Sequence, residues 1–209
     1  KIYEELTALQ KECAPLDQLC KNENERTTLA AASQWTIGGI CNAYPDVDPD
    51  MVPAYLKLAK YNYECGDYEA ASERLSHYIS FFASPPPPPP PPQEDEDGFI
   101  IEQPQSNNKN DNNKDDIGNP SIYYLKTVQL DMLSVLWGKL AAEVMRQEWE
   151  AAIVAVDAVK LAIEALVGSH QMTPLQGLQQ RSWLLHWSLF CYWNVPASGL
   201  EQMVDLFHS

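Results

Sequence analysis

The 209-residue chain has no CxxC pair, no HExxH spacing, no P-loop and no sustained apolar–polar alternation. Each absence excludes something. Its four histidines (His77, His170, His186, His208) lie nowhere near cysteines at zinc-ligand spacing, so no metal site is expected. The glycine pair Gly38–Gly39 matches no phosphate-binding fingerprint and sits in a helical pattern. Basic residues are scarce: 14 Lys and Arg stand against 29 Asp and Glu, for a net charge of −15. Nucleic-acid affinity comes largely from cations that neutralise phosphates, so direct RNA binding is not expected and a protein partner fits better. Long uncharged apolar runs are missing too. The most apolar stretch, residues 151–168, is interrupted by Asp157, Lys160 and Glu164, which share one helical stripe, so no membrane span is expected.

The five cysteines (Cys13, Cys20, Cys41, Cys65, Cys191) are odd in number, and several have apolar neighbours. They read as free thiols in a reducing compartment, and a cytoplasmic location is expected. No signal peptide is visible. The chain begins at Lys1 and stops at Ser209 just after an amphipathic run, so it reads as a piece of a longer protein.

What is present begins with "ASPPPPPPPPQEDEDG", residues 83–98. Eight prolines lead into an acidic cluster and then an Asn/Asp/Lys-rich tract ending at Pro120. Polyproline cannot donate backbone hydrogen bonds, and the following tract has too little apolar surface to offset its ordering entropy. Residues 83–120 therefore read as a disordered low-complexity insertion, with 85–118 disordered in solution. A passive spacer is preferred over an SH3 or WW ligand. The remaining chain, about 170 residues, is enough to bury a good core.

Both flanks read as helix, because apolar residues recur at i, i+3 and i+4. Thr173, Pro174 and Gln176 spell a capping box with proline at the first helical position, and Ser198 with Glu201 repeats that logic. Asp50 and Asp67 are expected N-caps, and Gly168 is expected to end the helix running through Leu166. An internal repeat organises these helices. "DYEAA" (67–71) aligns with "EWEAA" (148–152) when Tyr68 faces Trp149. An aromatic just past a turn, followed by alanines that admit a close neighbour, marks tetratricopeptide-like helical hairpins. Without the insertion, the spacing between copies falls to a normal helix-pair period. The insertion thus lies between hairpins of one array, giving N-terminal helical repeats over 1–82, the insertion over 83–120 and continuing repeats over 121–209.

A third pair follows. "LQQRSWLLHWSLFCYW" (178–193) carries Trp183, Trp187 and Phe190 on one face and Leu185, Leu189 and Tyr192 on another, so it is expected to be buried on most sides. On that reading Trp187→Ala costs about 3–5 kcal/mol, and His186 is a core or interface histidine. "NVPAS" (194–198) turns into a return helix that expects a further neighbour. Gly138, inside "LWGKLA", reads as a close helix crossing. The tryptophans favour core and interface over a ligand surface. Acid pairs such as Glu4–Glu5 and Asp115–Asp116 read as solvated charges. No catalytic, cofactor-binding or metal residue is nominated, and an enzyme is not expected.

The strings "YECGDYEAA", "LWGKLAAEVMRQEWEAA", "PLQGLQQRSWLLHWSLF" and "VDLF" resemble the E subunits of eukaryotic translation initiation factor 3, a PCI-domain family. The first fifty residues, with "LTALQKECAPL", agree more loosely. The resemblance implies a non-catalytic scaffold: a helical-repeat arm leading towards a PCI domain, most or all of whose winged helix is absent here. Its implied partners are other subunits of initiation factor 3 and, through the complex, the small ribosomal subunit. The family joins these hairpins by a short loop, so the insertion departs from its pattern. The alternatives are a PCI subunit of the proteasome lid or signalosome, a tetratricopeptide adaptor, or an enzyme whose catalytic part lies outside this stretch.

Overall fold

The computed structural model describes residues 2–82, 130–195 and 204. The expected disorder over 85–118, the Ser198–Glu201 box and the return helix fall outside the described residues. Nine helices and no strand occur among those described. They are α1 (Ile2–Glu12), α2 (Ala14–Lys21), α3 (Glu23–Ala31), α4 (Ile37–Ala43), α5 (Met51–Glu64), α6 (Tyr68–Phe81), α7 (Leu130–Arg146), α8 (Trp149–Gly168) and α9 (Pro174–Trp193). The chain is an all-α helical repeat, as its periodicity predicts.

Helices α5/α6 and α7/α8 are the two hairpins that the repeat anticipates. Tyr68 and Trp149 are the first residues of α6 and α8, and Ala71 and Ala152 behind them are fully buried. The turns before them match bond for bond. Gly66 (φ 85°) and Gln147 (φ 63°) occupy the same left-handed position. The amide of each donates three residues back, at 3.1 Å in both, and the next amide donates five residues back, Asp67 to Asn62 at 2.9 Å and Glu148 to Glu143 at 3.1 Å. This is the Schellman arrangement that satisfies orphan carbonyls at a helix end. It recurs at Ser33 (φ 55°) and His170 (φ 59°). Asp67 caps α6 by accepting from the Ala70 amide at 3.2 Å. Thr173 and Gln176 form the complete capping box of α9.

Each hairpin buries its apolar stripe against the next. Ala59, Leu75 and Ile79 from α5 and α6 join Leu133, Leu136 and Leu140 of α7 and Val156, Val159 and Ile163 of α8 in one core. A second core lies under the N-terminal helices, where Cys13, Leu16, Cys20, Leu29 and Ile40 surround Tyr55, Leu58 and Phe81. Trp35 closes its edge, with its ring centroid 5.5 Å from that of Phe81 and its Nε1–H donated to Ser80 Oγ at 2.8 Å.

Several local expectations are revised. Helix α8 runs through Gly168, and His170 rather than Gly168 takes the left-handed φ. Asp50 precedes α5 without capping it through its side chain; its own amide instead donates to Asp48 Oδ1 at 3.1 Å. Gly138 does face α6, but a Cβ there would sit 3.6 Å from Leu75 Cδ1, an ordinary contact, so the crossing does not demand glycine. The largest revision concerns α9. Gly177, Leu184, Ser188, Cys191 and Tyr192 are buried against the rest of the array, whereas Trp183, Trp187 and Phe190 are 51%, 41% and 51% exposed. The helix is buried on one side only. None of the six tryptophans is fully buried.

Candidate interaction face and buried polar clusters

An apolar helix facing solvent is the most conspicuous surface feature. Leu175, Leu178, Trp183, Trp187, Phe190 and Trp193 are exposed along α9, Trp193 at 86%. They spread over the flank and the back of the helix relative to its buried stripe. Phe190 keeps one edge-to-face contact with Trp149 at 5.5 Å. Trp137 donates its indole N–H to Gln180 Oε1 at 2.9 Å, which fixes α9 on α7. His186 is exposed among these residues, with Nδ1 2.7 Å from the Ser182 carbonyl, so it belongs to the outward face and not the core. Exposed aromatics at this density are a common mark of a protein-binding surface.

Two polar clusters are buried instead. In the first, Glu143 of α7 is 1% exposed and has both oxygens occupied. Oε1 receives Lys139 Nζ and, at 2.6 Å, the Ser72 hydroxyl of α6, while Oε2 receives Arg146 Nη1 at 2.7 Å. Lys139 also donates to Ser72 Oγ at 2.7 Å. Burial would raise the Glu143 pKa, but Lys139, the Ser72 hydroxyl and Arg146 together hold it below its ordinary 4.5. Burial holds Lys139 below its ordinary value, although Glu143 opposes the shift.

The second cluster joins α2, α3, α5 and α6 under the N-terminal core. Arg26 of α3 donates Nη1–H to His77 Nε2 at 2.7 Å, and His77 Nδ1 lies 3.1 Å from the Tyr55 hydroxyl. A guanidinium can only donate, so Nε2 must hold its lone pair and Nδ1 carries the proton. Cys20 is buried in the same core as Tyr55. Burial first, and then the Arg26 charge, push the His77 pKa down to about 4. Alongside, Arg74 of α6 reaches Asp17 of α2 through Nε and Nη2, each at 3.1 Å. Burial pushes the Cys20 thiol up to about 12, so it is inert.

No group of three or more metal-ligating side chains occurs among the described residues. Among those residues no helix is long and apolar enough to cross a membrane. The described histidines are scattered: His77 is in the second cluster, His170 in a turn and His186 on the outer face. Sequence reasoning missed both clusters. The spacing of Lys139, Glu143 and Arg146 is the pattern of a solvated helix face, and only the repeat register, which sets α6 against α7, could have exposed them as buried.

No family model matches the chain. Curated relatives do. Over 208 residues the chain is 26% identical to the E subunit of eukaryotic translation initiation factor 3 from Arabidopsis thaliana, covering all of this chain and 36% of that protein. The same-named protein of Culex quinquefasciatus is 28% identical over 202 residues, covering 97% of this chain and 35% of the relative. That of Monosiga brevicollis reaches 38% identity over 96 residues, 44% of this chain and 19% of the relative. Along nearly its whole length the chain is similar to the E subunits of eukaryotic translation initiation factor 3. The chain spans about a third of the length of these first two relatives. The α9 block "LQQRSWLLHWSLF" that carried the resemblance is also where the chain turns its aromatics outward.

Proposed function

We propose that this chain is part of a non-catalytic scaffold arm of initiation factor 3, acting in the cytoplasm. Its partners are other subunits of that factor and, through the assembled complex, the small ribosomal subunit. The array has N-terminal repeats over 1–82, a spacer over 83–120, and repeats over 121–209 that lead towards a PCI domain. Similarity to the E subunits along nearly the whole chain supports this reading. The observation that carries it is the outward aromatic face of α9, whose tryptophans make no core and which suits contact with protein. The net charge of −15 argues against direct capture of RNA. A tagged pull-down of the full-length protein, with untargeted identification, tests the proposal. Initiation factor 3 subunits and small ribosomal subunits are expected. Recovery of proteasome-lid or signalosome subunits in their place would overturn the assignment to this complex, and a catalytic activity that purifies with the protein would overturn the scaffold role.

A further inference from the structure

We propose that the α6–α7 junction is a self-sufficient docking interface, so that residues 2–82 and 130–195 hold each other without the chain that joins them. Its partner chemistry is specific. The α6 side offers an apolar stripe, Leu75 and Ile79, with one hydroxyl and its carbonyl at Ser72. The α7 side offers the buried Met132, Val135 and Leu136, one and two turns before Lys139 on the same side of the helix, beside a buried carboxylate flanked by two cations.

The polar part sets the register. Lys139, Glu143 and Arg146 lie at i, i+4 and i+7 of one helix, so the charged triad is assembled on α7 before docking. Docking takes it out of water, and Glu143 becomes 1% exposed. Ser72 then completes it, donating Oγ–H to Glu143 at 2.6 Å and accepting from Lys139 at Oγ (2.7 Å) and at its carbonyl (3.4 Å). Leu75, one turn along α6, has no side-chain group that could do this. A slipped pairing would bury the triad one bond short, and an unpaired buried polar group is strongly disfavoured. The apolar stripe supplies attraction, and the triad selects one alignment. A covalent link contributes only an effective concentration, at most roughly millimolar for a chain of this kind. An interface with its own core and its own polar lock retains affinity once that contribution is removed.

The test uses the full chain with a protease recognition sequence placed within residues 83–129, folded first and then cut. At about 10 μM the two pieces are expected to co-elute in native size exclusion and to separate only in denaturant. Ser72→Ala, in the cut protein, should weaken their association by about tenfold, while Glu73→Gln on the exposed side of α6 leaves it unchanged. If the uncut Ser72→Ala chain does not fold, Glu143→Gln replaces it, with a weakening of about the same size expected. Pieces that elute apart at this concentration overturn the proposal. So does a lock variant that associates as tightly as the parent.

Discussion

Acid should loosen the N-terminal core through His77. The imidazole is 7% exposed, and its Nε2 faces the Arg26 guanidinium at 2.7 Å, so a proton there would meet a fixed cation. Other groups face it too: Tyr55 of α5 bonds Nδ1, Asp17 of α2 attracts a proton weakly, and Arg74 of α6 with Lys139 of α7 repels one. Together with burial these hold the folded pKa at about 4, against 6.5 for a free side chain. Between those values the unfolded chain binds a proton that the folded chain refuses, so stability falls as pH is lowered through this window. A gap of about 2.5 units corresponds to about 3 kcal/mol lost between pH 7 and pH 4. Urea unfolding at half-unit pH steps reads this directly. His77→Gln removes the titration, and the difference in stability between variant and parent should shift by about 3 kcal/mol across the window. Curves that stay parallel from pH 7 to pH 4 would refute the buried neutral imidazole. Glu143 acts at lower pH. Its folded pKa is held below 4.5, so its contribution is present above that value and lost as pH drops further.

Two more outcomes follow from the repeat geometry. Gln147 holds the left-handed position that Gly66 fills in the preceding hairpin, so Gln147→Gly should relieve strain of about 1–2 kcal/mol, less glycine's entropy, for a net gain of about 0.5–1 kcal/mol; a rise of a few degrees in melting temperature would register it. Ala152→Trp, at a fully buried helix crossing, should cost about 3 kcal/mol or more, whereas Trp187→Ala should cost only about 1–2 kcal/mol because 41% of the residue is already in water; denaturant titration of the pair would contradict this packing if the ranking came out the other way.

The hairpins were legible because their signals are local. Tyr68 and Trp149 begin equivalent helices, and the Thr173–Gln176 box begins α9, since caps and small-residue crossings depend on neighbours within a few positions. The tryptophans of α9 were misplaced because an all-round apolar helix is read as surrounded, and sequence does not say which of its sides has a neighbour. Glu143 and His77 were missed for the opposite reason. A charged or titratable side chain in a helix looks solvated until the helix across from it is known, and here Ser72 and Arg26 are 71 and 51 residues away. Left-handed turns at Ser33, Gln147 and His170 escaped because no glycine marks them.

The α6–α7 junction also sets a clock. Elsewhere in the array most helix contacts join consecutive helices across turns of a few residues, so those closures are fast. Bringing α7 onto α6 closes a loop that contains residues 83–129. Closure entropy grows as (3/2)RT ln n, which makes this step about 2–3 kcal/mol less favourable than closing a three-residue turn. Each half can therefore complete its own hairpin before the two meet, and their meeting becomes the slow phase of refolding. Shortening residues 83–129 would speed that phase and leave the unfolding rate nearly unchanged, because the interface that must break is the same.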